Sequence, residues 1–366
     1  MIHGHGGDVV AVAAALGCRA DEIVDMSSNI NPLGPMPGLI EHLRAQMDCI
    51  RSLPEPDACG AVRAIARLLD VGEERLLAGA GTTQFIACAC AALASRRVLI
   101  AAPTYADYAD GCRMHGLEPE LFLSGPEAGF AVELDRLASV LAGCDTVFFC
   151  NPNNPTGQLT ARADLVALCA AHPETRFVID ESYLPFVPDW QEHSMLFCGL
   201  ANVAVLWSVS KIFGMPGLRV GFLVAEPALL SRFARFMQPW SVNSLGQEAV
   251  RFLGDHAAEA ARFIAATCAF VEEERRLLLK RLAPARLTLF PGRTSYTLMR
   301  LEGDRDAATI RRILAKERFL VRDCANFQGL DSRYLRLALK DPEANEAAAR
   351  LLVEAVGLRD GQAGAL

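Results

Sequence analysis

Short apolar runs alternate along the chain with longer amphipathic stretches, and this alternation limits the possible folds more than any other feature. The apolar runs have the composition of buried strands, and amphipathic stretches such as 161–171 separate several of them. Strands and helices that alternate in this way form mostly parallel sheets with helices on both faces, so we predict an α/β fold. The strand-like runs are 97–102, 146–150, 177–179, 203–207 and 220–224.

Reactive and turn-forming residues follow these predicted strands. In open sheets of this class, ligands bind beyond the carboxyl ends of the strands, so side chains distant in sequence meet there. The sequence therefore predicts a ligand site built from several segments. They are 103–105, 151–157, 180–183 and 208–211.

The pattern changes after a long helical region from about Ser244 to Leu282. Strand-like stretches at 295–301 and 334–338 then flank a helix near 307–317. We expect this C-terminal part and the N-terminal arm to form a smaller α+β domain, with the cleft between it and the larger domain. The predicted boundaries are 1–35 for the arm, 36–275 for the large domain and 276–366 for the C-terminal small domain.

The composition fits a globular protein that binds a small molecule. A chain of 366 residues with 52% hydrophobic residues can bury the cores of about two domains. A formal net charge of -7 argues against nucleic-acid and anionic-membrane partners, which select clustered Lys and Arg. We therefore expect neither a nucleic-acid nor a membrane partner.

The cysteines indicate a reducing compartment. Twelve cysteines are scattered through predicted strands and helices, with spacings typical of neither a disulfide framework nor a metal site. We interpret them as thiols of a cytoplasmic protein and predict no metal. The apolar run 9–16, followed by Gly17 and Cys18, resembles an export signal, but no Lys or Arg precedes it, so export is not expected.

Lys211 gives the strongest chemical signal. It follows a hydrophobic strand, Ser208 and Ser210 precede it, and Arg219 and Gly221 come after it. Hydroxyls and a guanidinium can bind a phosphate while the amine forms an imine with an aldehyde. The pattern therefore predicts a covalently held aldehyde that carries a phosphate.

Asp180 is the second candidate, at the end of the strand-like run 176–179. A carboxylate there can pair with a protonated pyridine nitrogen and keep the ring an effective electron sink, although a helix N-cap is the ordinary alternative. Tyr183 can place its hydroxyl near the phenolic oxygen of such a ring.

Two turns and one aromatic residue complete the pattern. Prolines and a glycine fix the turn 151–157, so the Asn154 amide can be held toward the ring oxygen. The glycine-rich segment 79–83 precedes an apolar helical run, whose N-terminus favours a phosphate, although such a turn is as often structural. Tyr105 can stack on the ring or belong to the core.

Together these residues resemble the fold-type I pyridoxal-phosphate enzymes of the class I and II aminotransferase superfamily, which includes histidinol-phosphate aminotransferases. The resemblance covers nearly the whole chain. It implies pyridoxal 5'-phosphate as cofactor, a Schiff base on Lys211, a pyridinium partner in Asp180, and ring contacts from Tyr105, Asn154 and Tyr183. Lys211, Asp180 and Tyr183 are the implied catalytic residues. The implied phosphate-binding residues are Gly81, Thr82, Thr83, Ser208, Ser210 and Arg219.

Two segments are similar to those of threonine-phosphate decarboxylases, the cobalamin-pathway members of this superfamily. They are the N-terminal 3–7 with 26–34, and the segment 321–330. Ile30 stands where histidinol-phosphate aminotransferases usually carry an acidic residue. The similarity implies decarboxylation of L-threonine O-3-phosphate. The alternatives are a histidinol-phosphate or related aminotransferase, and a non-catalytic protein of the same fold.

A substrate with a carboxylate and a phosphate calls for two anion sites. Charge-assisted hydrogen bonds to arginine contribute roughly 1.5 to 3 kcal/mol each, although a lone exposed arginine is often only a solvated charge. The resemblance also implies a homodimer, but Leu53 stands where many relatives have a tyrosine that reaches the partner's cofactor phosphate. The implied substrate-binding residues are His5, Asn31, Asn154, Arg322 and Arg336.

Overall fold

The structure, a computed structural model, describes residues 6–359. The strands are β1 (Val24–Asp25), β2 (Leu76–Gly79), β3 (Val98–Ala102), β4 (Glu120–Leu123), β5 (Thr146–Cys150), β6 (Arg176–Asp180), β7 (Val203–Ser208), β8 (Gly221–Ala225), β9 (Leu287–Phe290), β10 (Tyr296–Leu301), β11 (Phe319–Leu320), β12 (Arg322–Asp323) and β13 (Tyr334–Ala338). The α-helices are α1 (Val9–Leu16), α2 (Leu39–Ala45), α3 (Cys59–Leu69), α4 (Thr82–Leu93), α5 (Asp107–Met114), α6 (Leu134–Val140), α7 (Arg162–Ala171), α8 (Trp190–His193), α9 (Val209–Ile212), α10 (Pro227–Ala234), α11 (Ser244–Asp255), α12 (Ala257–Leu282), α13 (Ala307–Lys316) and α14 (Pro342–Val356).

The large sheet has seven strands in the order β2-β8-β7-β6-β5-β3-β4. The pairs from β7 through β4 are parallel, whereas β8 runs antiparallel to both β7 and β2. Strands β3, β5 and β7 are buried along their whole length, which explains their continuous apolar composition. The α/β class and the mostly parallel sheet predicted from the sequence are thereby confirmed.

The carboxyl ends of the central strands are aligned. Cys150 of β5 pairs with Asp180 of β6, and Asp180 pairs with Leu206 of β7. The segments that follow these strands therefore leave the sheet at the same edge. This register brings the turn 151–157, Asp180 and the Lys211 segment together, as the strand pattern predicts.

A second, antiparallel sheet has the order β12-β13-β10-β9, and β1 of the N-terminal segment pairs in parallel with β11. The N-terminal segment therefore joins the C-terminal part of the chain. Six buried residues form a small hydrophobic core at the second sheet: Phe130, Phe290, Leu298, Cys324, Phe327 and Tyr334. The boundaries 1–35, 36–275 and 276–366 stay a proposal, and the last of them falls inside α12.

The predicted helical region 244–282 is two helices, which meet at His256. The backbone of His256 leaves the helical conformation, with φ -114° and ψ 40°, and its ring Nδ1 lies 2.9 Å from the Phe252 carbonyl oxygen. Helix α11 packs closely on α3, since a Cβ added at Gly254 would lie 2.6 Å from the Ala64 Cβ. Between residues 6 and 359, no helix is both long enough and apolar enough to cross a bilayer.

Candidate active site

An open cavity lies at the carboxyl ends of β5, β6 and β7. All the residues that the sequence predicts as cofactor contacts line it. Because they come from six separate segments of the chain, the cavity depends on the strand register described above. The predicted residues are Gly81, Thr82, Thr83, Tyr105, Asn154, Asp180, Tyr183, Ser208, Ser210, Lys211 and Arg219.

Lys211 lies on α9, one turn after β7. The Ser208 side chain caps this turn by accepting a hydrogen bond from the Ser210 N–H at 3.3 Å. Burial, together with the positive charges of Arg336 and Arg219, lowers the pKa of the Lys211 amine to about 8. Much more of this amine is therefore neutral, and hence nucleophilic, than of an ordinary lysine at the same pH.

Asp180 is a buried carboxylate whose two oxygens are both fixed by the protein. Oδ1 accepts a hydrogen bond from the Ser182 N–H at 2.9 Å, and Oδ2 accepts one from the Tyr108 hydroxyl at 2.7 Å. Burial raises the pKa of Asp180, while these bonds and the Lys211 charge lower it. A cationic ring nitrogen would supply the positive charge that so buried a carboxylate needs.

The opposite side of the cavity is suited to a phosphate. Gly81 precedes α4, so the free N–H groups of the first turn of α4 face the cavity beside Thr82 and Thr83. Arg219 Nη2 donates to Thr83 Oγ1 at 3.4 Å. Only glycine fits at two positions here: a Cβ at Gly81 would lie 2.6 Å from Arg219 Nη2, and one at Gly221 would lie 2.5 Å from the Thr82 nitrogen.

Asn154 lies in a turn that is fixed by hydrogen bonds from its neighbour Asn153. The Asn153 side chain donates to the Pro103 carbonyl at 2.8 Å and accepts from the Thr104 hydroxyl at 2.7 Å. The Tyr296 hydroxyl donates to the Asn153 carbonyl at 2.9 Å. The turn is therefore fixed from both sheets, and Asn154 is presented to the cavity without a mobile loop.

Tyr105 and Tyr183 are the two aromatic residues that the sequence predicts as contacts of the cofactor ring. Tyr105 packs edge-on against Tyr108, with ring centroids 5.7 Å apart. Burial raises the pKa of Tyr183 to about 12, so its hydroxyl stays protonated. Its oxygen accepts a hydrogen bond from Asn29 Nδ2 at 3.3 Å.

The donor set fits pyridoxal 5'-phosphate. It combines a nucleophilic amine, a buried carboxylate for a ring cation, a helix N-terminus with hydroxyls and a guanidinium for a phosphate, and an amide and a phenol for a ring oxygen. In addition, Asn29 Oδ1 is buried without a hydrogen-bond partner among the described residues. Buried polar atoms are normally hydrogen-bonded, so this oxygen without a partner indicates a contact with a ligand.

The two predicted substrate arginines lie on neighbouring strands. Arg336 is buried; it donates to Asn154 Oδ1 and, at 2.6 Å, to the Ser27 carbonyl. Arg322 is half-buried, donates to Asn326 Oδ1 at 2.7 Å, and lines a second open cavity that Ser27 also borders. Arg336 thus contacts the first cavity through Asn154, and Arg322 lines the second cavity.

The remaining predicted substrate residues have different positions. The Asn31 amide donates to the Ile212 carbonyl at 2.6 Å and to Thr267 Oγ1 at 2.8 Å, and its oxygen accepts from the Leu33 N–H at 2.9 Å. Asn31 therefore fastens the N-terminal loop to the Lys211 segment, and its polar atoms already have protein partners. His5 lies outside the described residues.

Four residues at the site are not among the predicted ones: Tyr108, Cys150 and Ser182 line the cavity, and Asn29 contacts Tyr183. Tyr108 follows Tyr105 by three residues, but Tyr105 precedes α5, so helical spacing does not relate the two. Cys150 and Ser182 flank predicted residues. Nothing in the local sequence separates Asn29 from Asn31.

Comparison with known proteins identifies the family of the chain. Residues 21–352 match the family model "Aminotransferase class I and II". The threonine-phosphate decarboxylase of Salmonella typhimurium is 33% identical over 93% of each chain. The adenosylcobalamin biosynthesis bifunctional protein CobDQ of Leptospira interrogans is 26% identical over 93% of this chain and 40% of its own.

Aminotransferases and a solved structure match as well. Histidinol-phosphate aminotransferases of several prokaryotes are 26% to 30% identical over 92% to 95% of this chain. The crystal structure of L-threonine-O-3-phosphate decarboxylase from Porphyromonas gingivalis superposes with a TM-score of 0.81 at 31% identity. It covers 91% of this chain and 99% of its own.

Proposed function

The chain belongs to the aminotransferase class I and II family, and from this premise we propose that it decarboxylates L-threonine O-3-phosphate to (R)-1-amino-2-propanol O-2-phosphate and CO2 in cobalamin biosynthesis. It is an enzyme of the fold-type I class, and its cofactor is pyridoxal 5'-phosphate. When bound, this cofactor supplies an electron sink for a bond broken at the substrate α-carbon.

One observation carries the proposal: Arg322 of β12 and Arg336 of β13 are directly opposite each other in an antiparallel pair. Opposed residues in such a pair have their side chains on the same face. Two guanidinium groups on one face, next to the Lys211 cavity, match a substrate with two anionic groups. We assign the carboxylate to Arg336, which is close enough to lower the pKa of Lys211, and the phosphate to Arg322.

Lys211 and Asp180 carry the chemistry in this proposal. Lys211 Nζ would hold the cofactor through an imine with its aldehyde. When the substrate amine occupies that position, the Lys211 amine would be free to hold a proton and deliver it to the α-carbon. Asp180 would pair with the protonated ring nitrogen, and Tyr183 and Asn154 would contact the ring oxygen.

The direction in which the substrate is held decides the reaction. Only a bond perpendicular to the ring plane can release its electrons into the ring, so a clamp on the carboxylate that sets this direction selects decarboxylation. If the α-hydrogen took that position instead, the same residues would support aminotransfer. The relatives named as histidinol-phosphate aminotransferases make this the second candidate.

The deciding experiment measures CO2 release from L-threonine O-3-phosphate by the purified, cofactor-loaded protein, with and without 2-oxoglutarate. Release that does not depend on 2-oxoglutarate is the expected result, and Lys211→Ala is the control for cofactor-dependent chemistry. No CO2, together with glutamate formed from 2-oxoglutarate and histidinol phosphate, would assign aminotransfer instead.

We also propose a cytoplasmic homodimer. Exposed apolar side chains cluster near the start of α3, where the Trp240 N–H donates to the Pro56 carbonyl at 2.8 Å; they include Ile50, Leu53 and Trp240 itself. A second copy of the chain is the proposed occupant, because the family resemblance places the partner subunit at Leu53. All twelve cysteines are free, as a reducing compartment requires. Sedimentation of wild type and Leu53→Lys would test the dimer.

A further inference from the structure

Tyr108 contacts Asp180 directly from the wall of the cavity. It lies in the first turn of α5 with 1% of its surface exposed, and its hydroxyl donates to Asp180 Oδ2 at 2.7 Å. The Ser182 N–H occupies one position on Oδ1, and the Ser182 side chain also hydrogen-bonds to this carboxylate. Since each carboxylate oxygen can accept two hydrogen bonds, these donors and Tyr108 leave one position on Asp180 for a ligand.

The Tyr108 hydroxyl is held in place by the packing of its ring. The ring stacks on Phe148 of β5, with centroids 5.3 Å apart and planes within 14°, and meets Tyr105 edge-on. Burial raises the pKa of Tyr108 well above its ordinary value, so the O–H remains a donor across the working pH range. The same residue therefore supports both Asp180 and the aromatic residue assigned to the ring face.

We propose that Tyr108 is a positioning residue that keeps the shared proton on the ring nitrogen of the cofactor by making Asp180 a weaker base. A buried carboxylate without such a donor would tend to take the proton from its partner, because burial disfavours the charged form. A hydrogen bond to the carboxylate stabilises its ionised form, and the ring then keeps the positive charge that makes it an electron sink.

This proposal rests on the assignment of Asp180 in the proposed function, but it holds for either reaction. Other titratable groups also surround Asp180, so the effect of Tyr108 must be measured separately from theirs. They are Lys211 on α9, Cys150 at the end of β5, Glu181 and Tyr183 after β6, and Tyr105 before α5.

The test compares Tyr108→Phe, which keeps the ring and removes the hydroxyl, with Tyr334→Phe, which removes the hydroxyl of a buried tyrosine in the small core of the second sheet. For Tyr108→Phe, the dissociation constant of pyridoxal phosphate from the apoprotein should rise about tenfold or more, as expected for a lost hydrogen bond to a charged group. The pH at which the visible absorbance of the bound cofactor changes should also rise. A ring nitrogen without its proton withdraws fewer electrons and leaves the imine nitrogen more basic.

A double-mutant cycle with Asp180→Asn separates this role from a packing role. If Tyr108 acts through the carboxylate, Tyr108→Phe should cause no further change in the Asp180→Asn background. Additive losses, or a pH transition equal to that of Tyr334→Phe, would overturn the proposal. If Asp180→Asn does not retain the cofactor, the comparison between the pH transitions of Tyr108→Phe and Tyr334→Phe tests the proposal by itself. These readouts follow the cofactor, so a failure to release CO2 does not affect them.

Discussion

Replacing Gly81 with alanine tests the phosphate site by steric means. The Gly81 backbone has φ 81° and ψ 167°, a conformation that is essentially restricted to glycine. An alanine there costs of order 1–3 kcal/mol of stability whether or not the cofactor is bound. The added Cβ would also lie 2.6 Å from Arg219 Nη2, which is closer than any stable contact, so the guanidinium must move.

Displacing Arg219 should remove one charge-assisted hydrogen bond to the cofactor phosphate, about 1.5–3 kcal/mol. Since about 1.36 kcal/mol corresponds to a factor of ten, the dissociation constant of pyridoxal phosphate should rise roughly 10- to 150-fold. Fluorescence titration of the apoprotein measures this constant. The melting temperature of the apoprotein, expected to fall by a few degrees, separately measures the backbone strain.

Gly217→Ala is the matched control. It lies two residues before Arg219, has no positive φ, and an added Cβ would meet no atom within 4 Å. Cofactor affinity should therefore stay at the wild-type value. If Gly81→Ala bound pyridoxal phosphate as tightly as wild type, Arg219 would not hold the phosphate. If Gly217→Ala lost as much affinity, the loss would come from disturbing the turn in general.

Three further predictions concern the amine and the arginines. Lys211→Ala should abolish the imine absorbance of the purified protein, and a retained band would remove Lys211 from the proposed role. The pKa of about 8 predicts that the rate of cofactor capture by the apoprotein rises about tenfold per pH unit below pH 8 and then levels off. Stopped-flow absorbance measures this rate. A rate that continued to rise up to pH 10.5, the ordinary pKa of lysine, would contradict the prediction. Arg322→Ala and Arg336→Ala should each raise the substrate KM about tenfold or more without cofactor loss, and unchanged substrate saturation in both would exclude them from the site.

The central strands could be predicted from the sequence because a strand that is buried on both faces consists of a continuous run of apolar residues. Strands β5 and β13 begin and end at the predicted residues, and β3, β6, β7 and β8 differ from prediction by one or two residues at their ends. Strand β4 is different: it lies at the edge of the sheet, and three of its four residues remain at least partly exposed. Its short mixed pattern, Glu120 to Leu123, does not stand out from a loop.

The cavity was predictable for a related reason: its residues follow strands, and aligned strand ends bring such residues together without knowledge of the loops. The side-chain contacts that complete the cavity cannot be predicted in this way. Tyr108 reaches Asp180 across 72 positions, and Asn29 reaches Tyr183 across 154. Which side chain of a loop points at a distant partner depends on packing, so the sequence alone does not single out Asn29 as a contact of Tyr183.

Arg336 explains how the substrate clamp and the cofactor position can be set together. Its guanidinium donates to Asn154 Oδ1 in the turn and to the Ser27 carbonyl in the N-terminal segment, while Nε is buried without a partner among residues 6–359. Arginine has five N–H donors, so three remain, and these can hold a carboxylate without breaking the existing bonds. The clamp is therefore fixed before the substrate arrives, and it is fixed to Asn154, the residue assigned to the ring oxygen. A substrate carboxylate bound there is oriented relative to the ring itself, which is the condition for selecting the bond that breaks.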